Sequence, residues 1–443
     1  MQPFFNRLHQ HSKTRPPQNL NYIEMKKVLV FIGVIALLSS CQDKIYQKYL
    51  TNVPVYTDYE TFRSTGGFES PRTIEEKGNI YFKDDFLFMV EPDKGVHFID
   101  NSNPSSPSQT GFLNVWGATG MAIKGNYLFA NSFIDLVVYD ISNLSNPTLV
   151  RRMEDVFPSA LPFSEGNYPY QSVDKELGVV TAWEIKEVKE EVSNENPTWI
   201  NPGVWGISEV AFDSGGGTTS GGGSTGISGS ISLFTIINDY LYVVEEGHSL
   251  HPFEITDPTN PSKSEPVAVW GDVETLFPHQ DYIFMGTPTG MLIYETSNPT
   301  VPTYVSSLSH ARGCDPVVVK DNYAYVTVRS GGPCGGDINQ LDVIDISTVS
   351  NPILKQSFNM KNPHGLGIDG NHLFLCDGEA GLKVFDITNP EDCGNQKLHQ
   401  FGHIQATDVI PYNDIAMVVG DDGIYQYDYS DPENMNLLSK IKF

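Results

Sequence analysis

From His364 to Pro390 the chain alternates short apolar runs with polar turns: HGLGIDGNHLFLCDGEAGLKVFDITNP. The runs are rich in Val, Ile, Leu and Phe and are separated by Asp369-Gly370-Asn371 and by a turn from Asp377 to Gly381. The third run, LKVFDI, stops at Asp386 and the Asn389-Pro390 turn. Runs of this kind predict short antiparallel strands joined by tight hairpins. In LKVFDI, Leu382, Val384 and Asp386 face one way and Lys383, Phe385 and Ile387 the other. Both faces are mostly apolar, which a sheet packed between two other sheets requires.

The phrase recurs from Ile74 to the C-terminus, each copy closing its third run with an acid: Asp100, Asp140, Glu254, Glu295, Asp345, Asp386 and Asp428. The intervals between these acids are 40, 114, 41, 50, 41 and 42 residues. A period of about 40 residues accommodates four short strands and their turns, the arithmetic of one propeller blade. Inside the long interval, YQSVDKELGVVTAWEI aligns with LFLCDGEAGLKVFDI, so a worn third copy lies near residues 160–206. The predicted fold is therefore all-β, a β-propeller of four-stranded antiparallel blades. The count favours eight blades, with seven blades and a decorated insertion as the alternative. A lone sheet of this size cannot bury both faces, whereas stacking copies around an axis does, and leaves only short edges.

The phrases LVVYDISNLSNPTLV, LDVIDISTVSNPILK and GLKVFDITNP resemble LVIVD repeats of bacterial surface and secreted propeller proteins. The resemblance spans roughly Ile74 to Phe443 and implies a propeller without an agreed activity.

The N-terminus supplies an address. Met25-Lys26-Lys27 precedes the apolar run Val28–Leu38, which is too short to span a bilayer and reads as a signal peptide. Leu38-Ser39-Ser40-Cys41 resembles a lipobox, which implies that Cys41 is acylated and becomes the mature N-terminus. The expected organisation is a preface at 1–24 outside the native protein, a leader at 25–41, a polar tether at 42–73 and the propeller at 74–443. A flexible Gly/Ser insert is expected at 213–230. The expected location is the bacterial cell envelope, lipid-anchored, on either face of the outer membrane. Acyl chains at Cys41 would hold the chain to the membrane, with an unknown protein or glycan as the further partner. A net charge of -26 argues against nucleic acid as a partner.

An exported address permits disulfides. Cys314 and Cys334 lie at adjacent strand ends of one copy and form the candidate bridge, while Cys376 reads as a buried small hydrophobe and Cys393 lies in a turn.

The recurring acids read as turn-formers, because an Asp at a strand end accepts hydrogen bonds from the following amides. A better candidate for chemistry is the start of each innermost strand. There stand Thr119, Glu274, Asp315, His364 and Asp408, with His310 and Arg312 nearby. Convergence of Glu274, Asp315, His364 and Asp408 at one channel mouth would suit a divalent cation or an acid/base set. The chemically bland alternative is solvated polar residues bonded to strand amides. Trp116, Trp205 and Trp270 occupy equivalent blade ends and are expected to pack between blades. Trp183 and Trp199, in the worn copy, are expected to be freer for stacking on sugars. His248 and His251 fall in a turn and are expected to be solvated. Gly222-Gly223-Ser224-Thr225-Gly226 has the GxSxG spacing but no strand, helix or partner acid around it, and GGPCGG lacks the Lys of a phosphate loop. No catalytic residue is assigned.

Overall fold

The computed structural model describes residues 46–164, 168–191, 199–200, 226–230, 232–310, 313, 316–331 and 336–443. The His364–Pro390 phrase forms the strands Leu366–Asp369, His372–Cys376 and Leu382–Asp386, and Lys397–Phe401 completes the antiparallel sheet. Six other sheets repeat this order. The first strands of the seven are Ile80–Lys83, Met121–Lys124, Phe234–Ile237, Thr275–His279, Val317–Lys320, Leu366–Asp369 and Asp408–Tyr412. Each lies against the next, and the last lies against the first. The fold is a closed β-propeller, with these strands innermost in blades 1 to 7.

An eighth sheet is present, in the order Val179–Glu191, Tyr46–Thr57, Tyr170–Gln171, Trp199–Ile200. It joins the worn third copy to the segment before the propeller. Eight copies thus make eight sheets, and seven of them form the ring. The reason is legible in VVTAWEIKEVKEE, whose charges fall on both faces of the strand. Such a strand cannot lie dry between two blades. Blade 2 therefore packs directly on blade 3, with Ala122 and Ile123 in one apolar cluster with Phe234 and Ile236.

The closing acids act as expected. Asp100, Asp140, Asp345, Asp386 and Asp428 each accept a hydrogen bond from the amide two residues on, at 2.7–2.9 Å. These bonds hold all five carboxyls below the usual carboxylate range. The outermost strands share a second device. In blades 1, 2 and 4 to 7 the pairing of third and fourth strands slips at one place, for example between Val384 and Phe385. A bulge there twists the exposed edge and blunts it against pairing with other chains.

Gly381, at φ +80, opens the third strand of blade 6. A Cβ there would sit 1.5 Å from the Phe401 carbonyl oxygen, so only glycine lets the fourth strand approach.

Residues 51–79 are more structured than a polar tether. Asp58 caps the helix Tyr59–Ser64 by accepting from the Thr61 amide at 2.9 Å, and Phe62 is buried. Gly67–Glu69 extends blade 1 on its outer edge. Ordered chain also resumes before the expected end of the Gly/Ser insert, because Ile227–Ser228 pairs with Tyr81 and Phe82 on the inner edge of blade 1. The described residues 46–50 and 187–191 belong to a separate unit, in which Lys48 pairs with Glu187 at 2.6 Å. In the same unit the Tyr49 hydroxyl donates to Glu190 at 2.7 Å. Among the described residues no helix is long and apolar enough to cross a membrane.

Candidate functional site

All seven innermost strands run in the same sense, so their first residues share one end of the ring. Glu274 stands immediately before the innermost strand of blade 4, half-buried, with its amide donating to Gly286 O at 2.9 Å. His364 precedes that of blade 6 and is buried. Its amide donates to Cys376 O at 2.7 Å, and its carbonyl accepts from Thr327 Oγ1 at 2.8 Å. Asp408 opens that of blade 7 and is fully buried. Glu274, His364 and Asp408 therefore stand at one end of the ring, but His364 and Asp408 are built into the wall. His310 instead follows the outermost strand of blade 4, Thr303–Ser309. Arg312 and Asp315 lie outside the described residues, as do Cys41 and the candidate bridge Cys314–Cys334. Among the described residues no group of three His, Cys, Asp or Glu is arranged to hold a metal ion.

The bore beside this end is crossed by the chain itself. Gly229 donates its amide to Ile80 O at 3.0 Å in blade 1, and Ser232 O accepts from the Leu276 amide at 3.0 Å in blade 4. Ser230 Oγ accepts from the Leu366 amide of blade 6 at 3.0 Å. A segment bonded to blades 1, 4 and 6 must pass through the middle of the ring.

Buried acids at the second hairpin of several blades were missed in the sequence. Glu91 in blade 1 accepts from His97 at 2.8 Å, Arg72 at 2.9 Å and Lys94 at 3.0 Å. Burial pushes its carboxyl up, but these three partners outweigh burial and leave it at about 2. In blade 3, His251 lies 2.9 Å from Glu245. In blade 6, Asp377 pairs with Lys383 and accepts from the Lys361 and Asn362 amides. In all three the base follows the acid by six residues, a spacing that marks these pairs in the sequence. His251 is accordingly buried rather than solvated, since the hairpin turns its ring inward beside Phe157 at 5.6 Å. Blade 2 uses Asp135, which accepts from Arg63, Arg152 and the Asp155 amide.

Glu245 and a further acid, Asp93, hold down a cap made by the connection from blade 2 to blade 3. The Ser159 amide donates to Glu245 at 2.8 Å, and the Phe163 amide donates to Asp93 at 3.2 Å. Burial pushes Asp93 up to about 6, against the Phe163 hydrogen bond and with help from Glu76. Burial, then Glu245, pushes Glu246 up to about 7. A carboxyl raised in the folded state binds protons that the unfolded chain has lost, so stability falls as pH rises between the two values. Asp93→Asn is therefore expected to stabilise the protein by about 1–2 kcal/mol at pH 8 and by nothing near pH 3. Urea unfolding at the two pH values checks it, and a gain independent of pH would contradict it.

Trp116 packs beside Phe62 and Phe133. Trp270, at the equivalent position, is 80% exposed, contrary to expectation. Phe62 belongs to the helix Tyr59–Ser64, and blade 4 has no such helix to cover its indole. Trp183 is half-buried, donating to Pro162 O at 2.9 Å, while Trp205 lies outside the described residues and nothing is described of the Trp199 side chain. At the opposite end of the ring a pocket of about 370 Å³ opens between blades 3 and 4, lined by Asp239, Tyr240, Asp281 and Thr296 among others.

Fold and repeat together define a β-propeller built from one recurring phrase. The LVIVD repeat model matches residues 78–114, 117–155, 311–360 and 364–392, which are blades 1, 2, 5 and 6. The chain carries LVIVD repeats in these four segments. No curated protein matches it. Among solved structures it is similar to a protein from Lactobacillus plantarum, at 12% identity and a TM-score of 0.50, over 82% of this chain and 96% of that one. Hsv2 of Kluyveromyces lactis matches at 10% identity and a TM-score of 0.48, over 83% of this chain and 99% of that one. The computationally designed Ika8 protein matches at 11% identity and a TM-score of 0.48, over 85% and 90%. At these identities the likeness concerns the fold alone.

Proposed function

We propose that the protein is a lipid-anchored, extracytoplasmic propeller that serves as a binding or interaction platform. The observation that carries the platform reading is the repeat-built ring itself, closed through seven blades. At the end where the innermost strands begin, the cap bonds blades 1 and 3 through Phe163 and Ser159 and the helix Tyr59–Ser64 bonds blade 2 through Arg63, while blade 4 presents Glu274 and Trp270. A rigid scaffold carrying varied loops at one end is how propellers and related folds present binding surfaces.

The anchor is supported by the basic, apolar and Leu38-Ser39-Ser40-Cys41 sequence. Its test is a Cys41→Ala variant expressed in a bacterium that acylates lipoproteins, with fatty-acid labelling and membrane fractionation. The wild-type chain is expected to carry label and sediment with membranes. The variant is expected to lose the label and become soluble; a variant that still sediments unlabelled would overturn the anchor.

A further inference from the structure

Tryptophan is heavily buried in most proteins, so an indole left 80% exposed in a well-built turn calls for a reason. The loop bearing Trp270 is held from both sides. Val269 and Val273 are buried in the core, and their amides donate to His248 O and Gly247 O, both at 2.8 Å. Between them Gly271 takes φ +99, a conformation that turns the chain sharply just after the indole. His248 fastens the turn, with Nδ1 2.9 Å from Gly271 O and Nε2 2.9 Å from Asp272. The backbone around the exposed ring is therefore fixed before any ligand arrives, which reduces the ordering cost of binding.

The neighbours decide the kind of ligand. A protein hot spot sets its aromatic anchor within a patch of other apolar groups that exclude water. Trp270 is flanked instead by Gly271, Asp272, Gly247 and His248, glycine and hydrogen-bonding residues, while its valine neighbours point into the core. An exposed flat apolar surface in a turn that also carries the Asp272 carboxylate matches a pyranose ring, whose C–H face is apolar and whose rim carries hydroxyls. We propose that Trp270 stacks a pyranose unit of an oligosaccharide, with the Asp272 carboxylate bonding its hydroxyls and His248 holding the turn. The inference rests on the platform reading and names its ligand class.

The test is calorimetric titration of the whole protein with maltohexaose, cellohexaose and chitohexaose, repeated with Trp270→Ala and Trp270→Phe. At least one hexasaccharide is expected to bind saturably, about ten-fold more weakly in the alanine variant and within about three-fold of wild type in the phenylalanine variant. Thermal unfolding of Trp270→Ala is expected to match wild type. Absence of binding by all three sugars, equal binding by the alanine variant, or a fall of several degrees in its Tm would overturn the proposal. Such a failure would leave the lipid anchor standing, because the Cys41 experiment decides it without involving Trp270.

Discussion

Asp135→Ala is expected to destabilise the protein by about 3–5 kcal/mol, the cost of breaking a buried ion pair by removing one partner. Asp135 is fully buried and accepts from Arg63 Nε at 3.1 Å, Arg152 Nη1 at 3.1 Å and the Asp155 amide at 2.9 Å. Without the carboxylate, Arg152 keeps a hydrogen bond to Ser132 at 3.3 Å, and Arg63 keeps the solvent-facing carboxylates of Glu154 and Asp155. The Asp155 amide loses its acceptor. Asp135→Asn, which keeps the shape and one oxygen, is expected to lose less. A lower urea midpoint at unchanged m-value would bear this out. A change below about 1 kcal/mol would mean that the pre-propeller helix is not held through this carboxylate.

The second large effect concerns the closure of the ring. The four repeat strands of blade 1 come from the start of the repeat region and those of blade 7 from its end, so no strand is exchanged across the seam. Closure rests on Ile80, Leu87, Met89 and Ile99 packed with Ile410, Met417, Val419 and Ile424. It also uses buried Gln426, which donates to Asn101 at 2.6 Å. Leu87→Ala is expected to cost about 2–5 kcal/mol, the usual range for emptying such a site. Substituting Asn101 and Gln426 together should cost less than the sum of the single changes by about 0.5–3 kcal/mol, because the two side chains share one bond. Strict additivity would contradict the direct contact.

The propeller was legible in the sequence because its signal is local and repeated: period-two strands, tight turns, and an acid followed by an amide it can reach. The same reasoning identified the turn role of Asp100, Asp140, Asp345, Asp386 and Asp428. What could not be read was partnership over distance. The worn copy does contain strands, but whether Val179–Glu191 pairs as a blade or with Tyr46–Thr57 depends on which surface tolerates charges on both faces. Trp116 and Trp270 occupy equivalent positions, and the presence or absence of a helix from elsewhere in the chain separates half-buried from exposed. At the mouth, equivalence placed Glu274, His364 and Asp408 at one end, but not how deeply each is set into the wall. The acid and base six residues apart at Glu91, Glu245 and Asp377 went unread because a charge pair flanking a turn ordinarily signals solvent.

The central claim is that seven blades close the ring and that the worn copy is not one of them. Lys124 of blade 2 forms an ion pair with Asp239 of blade 3, and Lys77 pairs with Asp421 at 2.5 Å across the seam between blades 1 and 7. A zero-length carbodiimide cross-linker applied to the intact protein, followed by peptide mass spectrometry, reads both contacts at once. Amide links Lys124–Asp239 and Lys77–Asp421 are expected. Formation of the second link without the first would place a blade between blades 2 and 3 and contradict it.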